Sequence, residues 1–141
     1  MIVLDTNVLS ELMKPGPDQA VKDWLAGTGN DLLVTTAITI SEIEYGLGKL
    51  PEGRRRRDLE ERFAALSSPR FDFSVLPLDD TAARIAGRLR CERESQGLAA
   101  QPADMMIAAI AKVAGAALAT RNIKDFTGTG IELVDPWSPA A

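Results

Sequence analysis

The chain has 141 residues, 45% of them hydrophobic, and 16 basic against 20 acidic side chains give a net charge of −4. That is one domain's length with ample material for one core, so a single domain over 1–141 is expected. With no histidine and a single cysteine, Cys91, the composition excludes histidine acid–base cleavage of RNA, Ser-His-Asp hydrolysis, histidine or structural zinc sites and an internal disulfide.

Carboxylate chemistry remains, with or without a hard metal ion. The acidic balance means that any nucleic acid must be held by local basic patches rather than by bulk charge. No run of eighteen apolar residues is present to span a membrane. The opening Met1-Ile-Val-Leu-Asp5 has neither the basic region nor the cleavage site of a signal peptide. A cytoplasmic protein with no membrane association is expected, and the lone cysteine fits a reducing compartment.

Residues 1–4 form an apolar strand ending in Asp5-Thr6-Asn7, a helix-start signal. A first helix is expected over 8–13, stopped by Pro15-Gly16-Pro17. Asp18 is placed to cap a second, with Val21, Trp24 and Leu25 on one face. Residues 32–36, Leu-Leu-Val-Thr-Thr, read as a buried strand. Ile40, Ile43, Leu47 and Leu50 then recur at helical spacing up to Pro51, and a charged helix over 55–66 turns Leu59, Phe63 and Leu66 inward. Residues 73–78 read as a strand. Asp80 reads as the cap of a long helix with Ala82, Ile85, Ala86 and Leu89 as its inner stripe and Gly97 as its stop. Residues 103–114 are apolar nearly all round, the pattern of the most buried helix, and Gly115 ends it. Residues 117–120 and 131–134 are the last strands. Strands separated by helices imply parallel pairing and a layered α/β fold.

In such a sheet, ligands bind beyond the carboxyl ends of the strands. Asp5 ends the first strand. Glu42 is expected in the first turn of the helix after the second strand, and Asp104 in the first turn of the buried helix, after Pro102. Asn122 and Asp125 follow the strand that ends at Thr120. Four distant segments thus bring oxygen ligands to one edge. Clustered carboxylates repel one another unless a cation neutralises them. Magnesium and manganese prefer such ligands, and the resulting site activates water and stabilises charge on a transferring phosphate. Singly, each acid also has a local reading. Asp5 reads as a solvated cap, Glu42 as the far end of a capping box beginning at Thr39, and Asp104 as a residue favoured by the helix dipole. Asp125 reads as a loop cap, and Asp79 and Asp80 as helix caps.

The combination is more specific than its parts. Ile-Val-Leu-Asp5-Thr6-Asn7-Val-Leu-Ser resembles the opening of PIN-domain proteins, and Thr39-Ile-Ser-Glu42-Ile-Glu-Tyr-Gly46 their second motif. Pro102-Ala-Asp104-Met-Met-Ile-Ala-Ala is similar to the third, and Ala119-Thr120-Arg121-Asn122-Ile-Lys-Asp125-Phe126 to the fourth. Order and spacing match across nearly the whole chain, in the manner of VapC/FitB-like toxins of type II toxin–antitoxin pairs. The resemblance implies a three-layer α/β/α fold around a central parallel sheet. It also implies a magnesium- or manganese-dependent endoribonuclease, a cognate antitoxin, an RNA substrate and a homodimer. By position, Asp5, Glu42 and Asp104 become the catalytic, metal-binding acids, and Thr6 supports Asp5 by a hydrogen bond. Asn122 stands where many relatives have an aspartate. Its carbonyl oxygen still suits a metal or a metal-bound water, but one negative charge is lost, and Asp125 is the candidate to compensate.

Arg121 and Lys124 flank Asn122 and are the candidates for RNA contact. The run Arg54-Arg55-Arg56-Arg57 precedes Asp58, Glu60 and Glu61 and reads as a salt-laced helix end. Arg84, Arg88, Arg90 and Arg93 read as the wet face of the long helix. Trp24, Tyr45, Leu47, Leu50 and Phe63 read as core, or in part as a groove for an antitoxin helix. Two rival readings stand beside the ribonuclease. A phosphotransferase of the haloacid-dehalogenase type wants a second acid two residues after Asp5, where this chain has Asn7. A non-catalytic PIN-fold module that binds nucleic acid or protein is kept open by Asn122.

Overall fold

The first strand lies at the centre of the molecule. In the computed structural model, which describes residues 1–66 and 74–139, β1 (Ile2–Leu4) pairs in parallel with β2 (Leu33–Thr36) on one side. On its other side lies β4 (Ala117–Ala119). β3 (Ser74–Leu76) extends the sheet beyond β2 and β5 (Leu133–Val134) beyond β4, giving the order β3-β2-β1-β4-β5. The register places Ile2 opposite Leu33 and Ala117, and Leu4 opposite Ala119.

A parallel sheet covered on both faces needs apolar residues at successive positions, because alternate side chains enter opposite layers. Val3, Val34 and Leu118 join the core beneath α5 (Asp80–Ser95) and α6 (Pro102–Val113). Leu4 and Ala119 join the opposite core, beneath α1 (Thr6–Leu12) and α2 (Gln19–Ala26), with Trp24 packed at its margin. A third cluster, Leu9, Met13, Ile43 and Leu47, joins α1 to α3 (Ala37–Lys49) and takes Leu59, Phe63 and Leu66 from α4 (Arg54–Leu66). The result is a three-layer α/β/α fold.

α6 is the most buried helix, as its composition requires: Met105 and Ile107–Ala111 are all enclosed. Burying Ile107 or Ile110 is worth roughly 1.5–3 kcal/mol each. Its end is chemically determined. Gly115 adopts φ +64°, and the amides of Gly115 and Ala116 donate to the carbonyls of Lys112 and Ala111 at 3.1 and 3.0 Å. Gly97 ends α5 in the same way, with φ +73° and Leu98 N–H donating to Arg93 O at 2.9 Å.

Some boundaries differ from the sequence reading. Asp79, not Asp80, caps α5: its Oδ1 accepts from Ala82 N–H at 2.8 Å, while Asp80 is helical and pairs with Arg84. The first helix begins at Thr6 and not Val8, because Asp5 takes the cap position. β5 holds only Leu133 and Val134 of the expected 131–134. Of the expected strand over 73–78, residues 74–76 are β3 and Phe73 lies outside the described residues. No described helix is long and apolar enough to cross a membrane.

The topology fixes where a ligand site belongs. The chain runs from β1 outward through β2 to β3, then returns to the other flank of β1 for β4 and β5. The connections from β1 and β4 therefore leave in opposite directions, and a crevice opens at the carboxyl ends of those two strands.

Candidate active site

Asp5 occupies that crevice. It is the N-cap of α1 in extended conformation, and Oδ1 accepts from Val8 N–H at 3.0 Å. Its own N–H donates to Ala119 O at 3.1 Å, which ties the end of β1 to the end of β4. Asp5 is only 5% exposed. Burial raises its pKa above the usual aspartate value, against hydrogen bonds from the Thr120 side chain and from the Val8 and Asn7 amides, and the Glu42 charge raises it further.

Glu42 arrives from α3 by a different route from the one the sequence suggested. Thr36 is the N-cap of that helix, its Oγ1 accepting from Thr39 N–H at 3.1 Å. Glu42 therefore lies beyond the first turn, and the expected capping box from Thr39 does not form. Instead Thr6 Oγ1 donates to Glu42 Oε1 at 2.6 Å. Thr6 Oγ1 also lies 3.3 Å from Thr39 Oγ1, which lies 3.3 Å from Thr36 Oγ1. A hydroxyl carries one proton, and the short contact to the carboxylate takes that of Thr6. The chain of donors then runs from Thr36 through Thr39 and Thr6 to Glu42. Thr6 thus supports Glu42, whereas the resemblance implied that it supports Asp5. The hydroxyl that does bond Asp5 is Thr120.

Asp104 is in the first turn of α6, behind Pro102 at the helix start. It is half-buried, and its pKa is raised to about 6 by desolvation, then by the charges of Asp125, Glu42 and Asp5 in that order. This places all four carboxylates in one field. Asp125 closes the short 3-10 turn Ile123–Asp125, while Asn122 is exposed and its amide group makes no capping bond. Of the two fourth-motif residues, it is Asp125 whose charge reaches Asp104.

The segment that carries Asp125 is held by Arg93. This side chain is 4% exposed, contrary to its expected place on the wet face of α5. Its Nε donates to Ala99 O at 2.7 Å and its Nη2 to Lys124 O at 3.2 Å, and Nη1 donates to the Thr127 carbonyl. The guanidinium clamps the connection leading to α6 onto the loop after β4. Helical periodicity could not reveal this, because the acceptors lie beyond the Gly97 turn and about thirty residues downstream. The other arginines of that stripe stay on the surface, Arg84 with Asp80 and Arg90 with Glu94.

Arg121 and Lys124 are both exposed; the Arg121 guanidinium lies 4.8 Å from the centre of the Trp137 ring. Of the four-arginine run only Arg56 forms an ion pair among the described residues, with Glu60 at 2.7 Å. Tyr45 is not core: it is 68% exposed, with Lys49 over its ring. Next to Thr6 and Glu42 a groove of about 660 Å³ opens between α1, α3 and α4, lined by Met13, Ile43, Leu47, Leu50 and Leu59. Leu47 and Leu50 are the two residues of the proposed partner groove that line it.

The donor set suits a hard divalent cation, though not as a closed cage. Among the described residues no three carboxylates converge into a ready-made ligand set. Magnesium, however, keeps several waters and uses one or two carboxylates. The negative charge here is uncompensated: among the described residues none of the four acids forms an ion pair with a lysine or arginine.

Comparison with known proteins agrees with this architecture. The model of the PIN domain matches residues 2–129. The chain is 39% identical to "VapC ribonuclease Y4jK" of Sinorhizobium fredii, over 99% of this chain and 100% of that protein. It is 34% identical to "Toxin FitB" of Neisseria gonorrhoeae, over 97% and 99% of the two chains. A solved structure of FitAB bound to an IR36 DNA fragment superposes with a TM-score of 0.88 at 33% identity, covering 100% of this chain and 99% of that one.

Proposed function

The chain belongs to the PIN-domain family, and from that premise we propose that it is a metal-dependent endoribonuclease, the toxin of a toxin–antitoxin pair. The observation that carries the reading is the shared field of Asp5, Glu42, Asp104 and Asp125 at the strand-switch crevice, with Asp104 pushed up to about 6. A fold does not need four mutually repelling carboxylates at one edge, and strongly perturbed groups in a cleft mark sites of chemistry.

Asp5, Asp104 and Glu42 would hold the ion, one or two of them directly and the rest through its waters, with Asp125 supplying the charge that Asn122 lacks. When bound, a magnesium or manganese ion supplies charge neutralisation and activation of the attacking water. The chain's own residues provide the geometry. Val8 N–H and Thr120 aim the Asp5 carboxylate, and Thr6 holds one oxygen of Glu42 and leaves the other free. Arg93 fixes the loop of Asp125. Arg121 and Lys124 would meet the RNA phosphates beside the acids, where an acidic protein most needs local positive charge. The presence of Asp125 in the field weighs against the non-catalytic module, whose support was the neutral Asn122.

An antitoxin partner follows from the relatives named as toxins, and the apolar groove beside Glu42 is a fitting seat for its helix. A homodimeric assembly and a reducing cytoplasm, in which the exposed Cys91 stays free, complete the proposal. Purified protein freed of partner is incubated with mixed cellular RNA and magnesium or manganese. Discrete cleavage that is abolished by EDTA, and in Asp5→Asn and Asp104→Asn, is the expected result. Cleavage that survives both substitutions would remove the site assignment.

A further inference from the structure

Resting on the ribonuclease reading, we propose that the Arg121–Trp137 pair is a subsite for a nucleotide of single-stranded RNA next to the scissile phosphate. The guanidinium plane receives the base and its in-plane N–H groups the phosphate.

The pair is built into the edge of the crevice. Thr120, which bonds Asp5, immediately precedes Arg121, and Thr120 N–H donates to Val134 O at 2.9 Å, joining the ends of β4 and β5. The chain then turns at Asp135, whose Oδ1 accepts from Trp137 N–H at 2.9 Å and whose carbonyl accepts from Ser138 N–H at 3.1 Å. Trp137 is partly buried against the core of Leu4, Val8 and Ala119, so the indole is fixed from below. Arg121 rests on it at 4.8 Å and is exposed.

The contrast with the other arginines matters. Arg56, Arg62, Arg84 and Arg90 are each neutralised by a carboxylate on their own helix, and Arg93 is consumed by backbone carbonyls. Among the described residues Arg54, Arg55, Arg57 and Arg88 form no ion pair, but none of them lies over an aromatic ring. Arg121 forms no ion pair among the described residues, and its guanidinium carbon lies over the Trp137 ring, 4.8 Å from its centre. An arginine plane stacks on an unpaired base and its edge bonds phosphate bidentately, whereas a base inside a duplex offers no face. The geometry therefore selects single strands.

The test uses Trp24→Phe, which leaves Trp137 as the only one of the two tryptophans, combined with Asp104→Asn to prevent cleavage. A short labelled oligoribonucleotide is titrated as a single strand and as a duplex, reading Trp137 fluorescence and label anisotropy. The single strand is expected to quench Trp137 and the duplex to bind more weakly. Arg121→Lys keeps the charge but loses the plane, and is expected to weaken single-strand binding roughly fivefold or more. Trp137→Phe, checked for unchanged melting, is expected to retain most of the binding. Arg121→Lys binding as tightly as its parent overturns the subsite, as does equal affinity for the duplex. So does a silent Trp137 at RNA concentrations that saturate cleavage by the unsubstituted protein. If the unsubstituted protein cuts no RNA, the ribonuclease reading itself falls, a result distinct from those three.

Discussion

The two aspartates at the centre of the site are held by opposite means. At the β1–α1 junction, Asp5 is almost enclosed and caps a helix, and hydrogen bonding from Val8, Asn7 and Thr120 offsets part of the burial that raises its pKa. At the start of α6, Asp104 is half-exposed and faces three other acids, so its charge is a burden that the α5–α6 scaffold tolerates. The Asp5 carboxylate is backed by hydrogen bonds and that of Asp104 is not, and that difference predicts how each responds to substitution.

The largest effect expected is on activity. Asp104→Asn should lower cleavage by roughly 10²–10³-fold, the scale of removing a group that organises transition-state charge, while the metal-free protein melts no lower than the parent. A fall in melting temperature as large as the fall seen with Asp5→Ala would break the comparison. Arg93→Met comes next. It leaves the carbonyls of Ala99 and Thr127 without their side-chain donor and that of Lys124 with only the Thr127 hydroxyl, at a cost of about 2 kcal/mol in chemical denaturation. It should also weaken manganese binding, measured calorimetrically, by freeing the loop of Asp125.

Asp5→Ala should cost about 1 kcal/mol through the lost cap, and Asp5→Asn less, because the amide oxygen still accepts from Val8 N–H. Equal stabilities for the two would show that the cap contributes nothing. The pH response is of similar or smaller size. Asp104 has a folded pKa of about 6 against 3.8 in the unfolded chain, so the unfolded state releases its proton first. Stability from this group is fully present below the lower value and is lost as pH rises through the higher one. After solvent screening at a half-exposed position the loss is about 1 kcal/mol. Melting of the metal-free protein between pH 4 and 7 should show it, Asp104→Asn should reduce it to the part contributed by Asp5, whose pKa is also raised, and added manganese should restore the stability. Smallest of all, Thr6→Val should cost a few tenths of a kcal/mol in stability, because its bond to Glu42 is exposed, yet it should weaken metal binding measurably.

Much of this was legible in the chain itself. The apolar run before Asp5, the Asp18 cap, Pro102 at a helix start and the glycines at 97 and 115 are local signals. Each acts through residues within a turn of itself, so each fixed its element without reference to the rest. The same holds for the four motif segments, since strand ends and following helix starts must share one edge of a parallel sheet. Tertiary structure decided which side chain answers which. Thr39 and Glu42 have capping-box spacing, but Thr36 took the cap and freed Glu42 for Thr6, thirty-six residues away. Arg93 has the periodicity of a surface position, but the Gly97 turn brings Ala99 back over it and the loop after β4 closes it in. Asn122 occupies the expected acidic position, but it is Asp125 in the 3-10 turn whose charge raises the Asp104 pKa. Helix and strand signals are local and sum along the chain, whereas burial and hydrogen-bond partnership depend on groups that meet only once the sheet has formed.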